Sequence, residues 1–212
     1  MNLSISHQVA SKLLQIEAIR LNLENPFTWA SGWNSPIYCD NRLSLSYPDI
    51  RSFIKNELKS LVQRDFVGVQ AIAGVATAGI PQGALVAEAL DLPFIYVRSK
   101  PKGHGMTNMI EGVVTPGQKV VLVEDLISTG GSSIKAAVAL RDAGFDVQGM
   151  VAIFTYGFDL ALENFAGENL KVSTLSNYND MIEEALASNY ISISEVDSLK
   201  AWRVNPATWN KG

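Results

Sequence analysis

Cysteine and histidine are scarce in this sequence. Its 212 residues include one cysteine, Cys39, and two histidines. A single cysteine excludes an intrachain disulfide and a thiolate cluster for zinc, and it is typical of a reducing, intracellular compartment. No apolar run approaches the roughly 20 residues that span a bilayer, and residues 1–15 lack the pattern of a signal peptide. We therefore expect a soluble cytoplasmic protein without membrane contact.

An excess of positive charge is also absent. The formal net charge is -4, which argues against nucleic acid as the main partner, because proteins that bind phosphate backbones usually carry a basic excess. With 47% hydrophobic residues, the chain can bury a sizeable core without disulfides. No repeat or long linker divides it, so we expect a single domain over residues 1–212, with residues 1–45 contributing a hood.

Apolar strands alternate with helices through the middle of the chain. Residues 69–75, 94–98, 119–124 and 147–154 read as strands, and helical patterns run through Leu85 and Leu90 and over residues 132–143. Continuous apolar strands separated by helices predict a mostly parallel sheet covered on both faces. The predicted fold is therefore α/β and doubly wound.

The two ends of the chain follow other patterns. Residues 7–21 and the tail after Tyr178 read as helical, and residues 26–42 read as a hairpin-like pair of strands. Ser46 followed by Asp49 predicts a capped helix. The inward positions that these patterns predict are Val9, Leu13, Ile16, Ile19, Ile50, Phe53, Ile54, Leu58, Leu61, Ile182, Leu186, Leu199 and Trp202.

The sharpest chemical signal is the segment VVLVEDLISTGGSS at residues 120–133. A strand ends in the adjacent acids Glu124 and Asp125, and a turn of glycines and hydroxyls then opens a helix. Backbone N–H groups and the positive end of a helix dipole can hold a phosphate there, while the carboxylates can accept from sugar hydroxyls or hold a metal through water. The alternative is an ordinary tight turn before a capped helix.

Two further segments point to anions. Residues 74–79 form a second strand–loop–helix junction, although a plain turn accounts for it nearly as well; it matches neither a Walker A loop nor a dinucleotide fingerprint. Residues 98–105, RSKPKGHG, lie in a stretch without Asp or Glu from 92 to 110. Such a basic loop suits the neutralisation of a pyrophosphate leaving group, and the alternative is a solvated face.

The segment VLVEDLISTGGS resembles the motif that binds phosphoribosyl pyrophosphate (PRPP) in type I phosphoribosyltransferases. The resemblance implies that Glu124 and Asp125 bind the ribose hydroxyls and that residues 128–133 hold the 5′-phosphate. It also implies Mg²⁺ as a cofactor, held through PRPP and water. The PRPP-binding residues so expected in this segment are Glu124, Asp125, Leu126, Ile127, Ser128, Thr129, Gly130, Gly131 and Ser132.

The basic loop resembles the catalytic loop of orotate phosphoribosyltransferases in particular. That resemblance implies a homodimer in which residues 99–110 close over the partner subunit's site. Arg98, Lys100, Lys102 and His104 are then expected to bind PRPP. Lys102 is the first candidate for acting on the departing pyrophosphate, and Arg98, His104 and Asp125 complete the expected catalytic group.

The segment FTWASGWNSPIY at residues 27–38 resembles the signature that lines the orotate pocket. It implies base contacts from Phe27, Ser31 and Tyr38, and Ser128 matches a position that reaches the base with a hydroxyl. Packing of the hood or of a dimer interface is an equally good account of Trp29 and Trp33.

The sequence also departs from that family. Ala30 and Ala78 stand where many members have lysine, and residues 153–157 lack an arginine that other members place near the orotate carboxylate. Three alternatives therefore stay open: a phosphoribosyltransferase for another base, a regulator that senses PRPP, and a nucleotide-binding scaffold with degenerate catalysis.

Overall fold

The computed structural model describes residues 3–29, 32–100 and 109–209. The helices are α1 (Ile5–Gln15), α2 (Pro48–Asp65), α3 (Gly79–Leu90), α4 (Gly131–Asp142), α5 (Asp159–Gly167), α6 (Tyr178–Ala187) and α7 (Ile193–Val204). The strands are β1 (Ile19–Leu21), β2 (Phe27–Thr28), β3 (Asn34–Ser35), β4 (Ile37–Cys39), β5 (Ala71–Val75), β6 (Phe94–Val97), β7 (Ile110–Glu111), β8 (Lys119–Ile127), β9 (Asp146–Thr155) and β10 (Val172–Asn177).

The main sheet has six strands in the order β10-β9-β8-β5-β6-β7. All neighbours are parallel except β7, which pairs antiparallel with β6 at one edge. Strands β1 and β4 form a separate antiparallel pair, and so do β2 and β3. The predicted doubly wound α/β fold is confirmed.

Helices cover both faces of the sheet because its central strands are apolar on both. Along β8, Val121 and Val123 belong to one core cluster, whereas Val120 and Leu122 belong to the other. The alternation follows from the two-residue period of a strand. Helices α1, α2, α3, α6 and α7 contribute to the first cluster, and α4 and α5 contribute to the second.

Several predicted boundaries were wrong. Helix α1 ends at Gln15, and Ile19 lies instead on β1, where it pairs with Cys39 of β4. The predicted cap from Ser46 does not form: a 3₁₀ helix occupies Asn41–Ser46, and Tyr47 is the N-cap residue of α2 without a side-chain bond. Pro48 supplies the start instead, since its fixed φ and missing N–H suit a first helical position.

The predicted inward positions are largely buried. All thirteen lie in or against the first core cluster; Phe53 and Leu186 are partly buried and pack against it. No helix among the described residues is both long and apolar enough to cross a membrane.

Candidate active site

The carboxyl ends of the parallel strands β6, β5, β8 and β9 lie next to one another at the same end of the sheet. The backbone N–H of Ala76 after β5 donates to the carbonyl of Val97 on β6 at 2.9 Å. On the other side, the N–H of Tyr156 after β9 donates to the carbonyl of Ile127 on β8 at 3.1 Å. In open parallel sheets, ligands bind at the carboxyl ends of the strands. The predicted acid pair, phosphate turn and second junction therefore lie side by side.

The acid pair lies within β8 rather than after it, because the strand continues to Ile127. Glu124 is buried; its Oε1 accepts from the backbone N–H of Asp125 at 3.1 Å and its Oε2 accepts from the Ser133 hydroxyl at 3.3 Å. Burial first, and then the charge of Asp125, raise the pKa of Glu124 well above its usual range. Burial also raises the pKa of Asp125. Two desolvated carboxylates at a ligand-binding edge are strong acceptors for hydroxyl groups.

The predicted phosphate turn joins β8 to α4. Leu126 and Ile127 end the strand, residues 128–130 form the turn, and Gly131 and Ser132 open the helix. Gly130 is the N-cap residue with φ +79°, and no side chain caps the helix. The first N–H groups of α4 thus have no intrahelical acceptor and can receive an anion.

One hydroxyl of this segment is not available for phosphate. The family resemblance implied that residues 128–133 together hold the phosphate, but the Ser133 hydroxyl is buried and donates to Glu124. Ser133 is the third residue of α4, and its side chain points back to β8. Ser133 therefore orients a carboxylate.

The second junction is held against the first by a close backbone contact. Helix α3 begins at Gly79, where an added Cβ would lie 2.3 Å from the carbonyl oxygen of Val123 on β8. The N-cap residue is Ala78, and no side chain caps α3. This junction offers backbone N–H groups without a cation of its own.

The hood meets the acid pair through Asn41. This residue is fully buried, and its Nδ2 donates to the backbone carbonyl of Asp125 at 2.7 Å. Its Oδ1 accepts from the Cys39 thiol at 3.3 Å. Asn41 was not predicted from the sequence, although the polar run Asp40-Asn41-Arg42 shortly after the segment at residues 27–38 is a signal for it.

The predicted base-contact residues come partly together. The rings of Phe27 and Tyr38 lie 5.6 Å apart on the hood, and Ser128 stands at the end of β8. Ser31 lies outside the described residues, as does Ala30.

Trp29 has a packing role. Its ring centroid is 5.0 Å from that of Tyr156 and 5.5 Å from that of Trp202, and its Nε1 donates to the carbonyl of Ile37 at 3.1 Å. Tyr156, in the segment that lacks an arginine, is buried in this aromatic cluster, and burial raises its pKa well above its usual range. Trp33 also packs, with its ring 6.4 Å from Phe158.

The positive charge of the basic segment, residues 98–105, is partly balanced by an acid outside it. Nη1 of Arg98 lies 3.6 Å from Oε1 of Glu111, an acid just beyond the stretch that lacks Asp and Glu. Strand β7 brings Glu111 beside β6 by antiparallel pairing. Lys100 is exposed, and Lys102 and His104 lie outside the described residues.

The acid pair suits a cation that brings most of its own ligands. Within the described ranges, the one group of three or more His, Cys, Asp or Glu side chains close enough to share an ion is His7, Asp180 and Glu183. Glu124 and Asp125 are hard oxygen donors of the kind that Mg²⁺ prefers, with no third such side chain grouped with them. The site therefore suits an ion held chiefly by a bound phosphate ligand and water.

A parallel sheet with an acid pair, a phosphate turn and a second anion junction at one edge defines the class of phosphoribosyltransferases. The profile of the phosphoribosyl transferase domain matches residues 44–157, which include both junctions and the acid pair. The hood signature lies before the matched residues.

Individual relatives narrow the class. The orotate phosphoribosyltransferase of Cytophaga hutchinsonii is 55% identical over 209 residues, which cover 99% of this chain and 100% of that protein. The orotate phosphoribosyltransferase of Porphyromonas gingivalis is 57% identical over 201 residues, 95% of this chain and 96% of that protein. The crystal structure of orotate phosphoribosyltransferase from Aeropyrum pernix superposes with a TM-score of 0.75 at 29% identity, covering 87% of this chain and 99% of that one. The chain belongs to the orotate phosphoribosyltransferase family.

Proposed function

We propose that this chain transfers ribose 5-phosphate from PRPP to orotate, giving orotidine 5′-monophosphate and pyrophosphate in pyrimidine biosynthesis. The observation that carries the proposal is the acid pair beside the phosphate turn, with Glu124 buried and with the hood bonded to Asp125 through Asn41. Near-full-length relatives named for this activity support it.

The reaction is a displacement at the anomeric carbon of PRPP. The ring nitrogen N1 of orotate forms the new bond to that carbon and loses its proton to solvent, while the bond to the pyrophosphate oxygen breaks and pyrophosphate leaves with the electron pair. Positive charge develops on the ribose ring in the transition state, so placement and electrostatics dominate the rate. No covalent intermediate with the chain is required.

The acid pair and the phosphate turn would hold the ribose 5-phosphate portion. Glu124 and Asp125 accept hydrogen bonds from the ribose hydroxyls, and Asp125 stabilises positive charge on the ring. Residues 126–132 hold the 5′-phosphate with backbone N–H groups and the hydroxyls of Ser128, Thr129 and Ser132. The uncapped N-terminus of α4 supports this assignment, because anions bind there readily.

The pyrophosphate would lie between the second junction and the basic segment. Residues 76–79 offer backbone N–H groups, and Arg98, Lys100, Lys102 and His104 supply positive charge. Lys102 acts on the departing pyrophosphate. The absence of lysine at Ala78 increases the dependence on this segment, and the exposure of Lys100 supports its availability.

Mg²⁺ would be held by PRPP and water beside Glu124 and Asp125, and when bound it neutralises pyrophosphate charge and orients the substrate. The acid pair orders the ion's water ligands and the ribose hydroxyls. Phe27, Ser31, Tyr38 and Ser128 line the orotate pocket.

The active form would be a cytoplasmic homodimer of single-domain subunits, each with a hood from residues 1–45. In it, residues 99–110 of one subunit close over the site of the other. Exposed Val113 and Val114 beside this segment support a protein contact there. The lone thiol supports a reducing compartment.

The direct test is the loss of orotate absorbance on adding PRPP and Mg²⁺, with adenine, hypoxanthine, guanine and uracil as parallel substrates. We expect turnover of orotate alone and its loss on chelating the metal. Turnover of another base instead would reject the pocket assignment. PRPP binding without any turnover would favour a regulator.

The shared loop is tested by mixing two inactive variants. Lys102→Ala should lower the turnover number by orders of magnitude with a smaller effect on PRPP binding, and Asp125→Ala should also be inactive. If Lys102 acts in the partner subunit, an equal mixture of the two should recover roughly a quarter of the wild-type activity, because mixed dimers contain one intact site. An inactive mixture of exchanging subunits would place Lys102 in its own subunit's site, and an unchanged turnover number in Lys102→Ala would reject its role.

A further inference from the structure

The hood carries a guanidinium group over two aromatic rings. Arg20 lies directly opposite Tyr38 in the β1–β4 pair. Its guanidinium carbon is 5.2 Å from the Tyr38 ring centroid and 5.6 Å from that of Phe27. Phe27 and Tyr38 are the two hood residues within the described ranges that are expected to contact the base. A guanidinium stacked on aromatic rings keeps its N–H donors at its edge, where they can pair with a carboxylate.

Among the described residues, Arg20 differs from Arg42 and Arg203 near the hood, since each of those two has a side-chain hydrogen bond and Arg20 has neither a hydrogen bond nor an ion pair. Arg42 is bonded to both carboxylate oxygens of Asp40, at 2.6 and 2.9 Å. Arg203 donates to the carbonyl of Gly157 at 3.0 Å. Arg20 is exposed, and no carboxylate within the described ranges lies at ion-pair distance from it. Its charge is therefore available to a ligand.

The hood surface that contains Arg20 is connected to the acid pair. Strand β4 carries Tyr38 and ends at Cys39, and Asn41, two residues further along the chain, donates to the backbone carbonyl of Asp125. The Arg42 side chain, and more weakly the charge of Arg20, lower the pKa of Asp40. Arg20 thus lies on the part of the hood whose chain leads through Asp40 to Asn41, the residue that contacts the acid pair.

We propose that Arg20 binds the carboxylate of orotate and, with Phe27 and Tyr38 as its aromatic support, selects orotate over uncharged pyrimidines. The proposal rests on the proposed function. Orotate is a planar anion whose carboxylate is attached to the carbon next to the reacting nitrogen. A planar guanidinium can engage that carboxylate bidentately. The segment around Tyr156, which lacks an arginine, offers a buried phenol instead.

The experiment compares wild type with Arg20→Ala, Arg20→Lys and Arg64→Ala, measuring KM for orotate and for PRPP. Arg64 is an exposed arginine paired with its neighbour Asp65, so its removal controls for the loss of one surface charge. We expect Arg20→Ala to raise KM for orotate roughly 10- to 100-fold, the loss expected for a charge-assisted pair. KM for PRPP and the turnover number should stay within about twofold, because the lost contact is the same in ground and transition states. Arg20→Lys should restore part of the affinity.

Inhibition by uracil separates charge recognition from packing. Uracil lacks the carboxylate, so its inhibition constant should be the same for Arg20→Ala and wild type. Equal weakening of uracil and orotate, or an unchanged KM for orotate, would overturn the role of Arg20 while wild-type activity leaves the proposed function standing. A wild type that does not use orotate would overturn both. If Arg20→Ala melts well below wild type, Arg20→Lys and Arg20→Gln carry the same comparison.

Discussion

The two ends of the parallel sheet treat carboxylates in opposite ways. At the carboxyl end, Glu124 and Asp125 lie side by side without an ion-pair partner among the described residues, and burial raises both pKa values. Near the amino end, Asp65 is bonded to Arg64 at 2.8 and 3.0 Å, which lowers its pKa to about 2. One end is arranged for stability. At the carboxyl end, the two carboxylates have no cationic partner among the described residues and can interact with a ligand.

At the carboxyl end of the sheet, glycines stand at positions where a larger side chain would meet the backbone or occupy the space for a ligand. Both helices there begin with glycine, but for different reasons. Gly79 is pressed against the backbone of β8, whereas Gly131 has open space around its Cβ position. The space at Gly131 is where the proposed 5′-phosphate would approach the helix N-terminus. One glycine serves the fold and the other serves the ligand.

The largest expected effect tests this difference between the glycines. Gly79→Ala places a Cβ 2.3 Å from the Val123 carbonyl, so it should lower the free energy of unfolding by about 3 kcal/mol, as overpacked sites do. Urea denaturation measures it.

The matched variant is Gly131→Ala, which should leave the unfolding free energy within about 0.5 kcal/mol of wild type but weaken PRPP binding. Equal destabilisation by the two variants would show that Gly79 and Gly131 do not differ in how closely they are packed. Unaltered PRPP binding in Gly131→Ala would place the phosphate elsewhere.

The difference between Glu124 and Asp65 predicts an effect of intermediate size on the free energy of unfolding. Because folding raises the pKa of Glu124, this group favours the folded state most below its ordinary value of 4.5, and that contribution is lost as pH rises through the folded pKa. Above pH 4.5 the raised pKa of Glu124 therefore lowers the stability of the unliganded protein, and pH 8 lies in this range. Glu124→Gln should raise its unfolding free energy by about 1 kcal/mol at pH 8 while lowering activity.

Thermal melting at pH 8 and at pH 5 measures this effect. The gain in stability of Glu124→Gln should shrink at the lower pH. A variant that is less stable than wild type at pH 8 would show that the Ser133 and Asp125 hydrogen bonds outweigh the repulsion.

Pattern and motif predicted the sheet and the edge at which the site lies. The alternation of apolar runs and helices is a local property of the sequence, and the segment at residues 120–133 carries its chemistry in consecutive residues. Strand β10, with the sequence VSTLSN, was missed because its apolar content is low and it pairs with only β9.

Contacts between residues far apart in the chain could not be predicted from local sequence patterns. The pairing of Ile19 with Cys39 ends a helical pattern that continues in the sequence, since tertiary pairing overrides periodicity there. The bond from Asn41 to the Asp125 carbonyl joins residues 84 positions apart, and Arg98 finds Glu111 only through β7. These long-range bonds connect the hood and the basic segment to the sheet.

The smallest expected effect lies at the amino end. Folding lowers the pKa of Asp65 from 3.8 to about 2, so its stabilising contribution is present above pH 3.8 and is lost as pH falls through about 2. Its Arg64 partner is 70% exposed, and solvent screens such a pair, so Asp65→Asn should cost no more than about 0.5 kcal/mol at pH 7. Urea denaturation at pH 7 and pH 2.5 measures the cost, which should diminish at the lower pH. Activity should be unchanged, because the residue lies at the opposite end of the sheet from the acid pair. A gain in stability, as expected for Glu124→Gln, would mean that the two ends do not differ in how they treat charge.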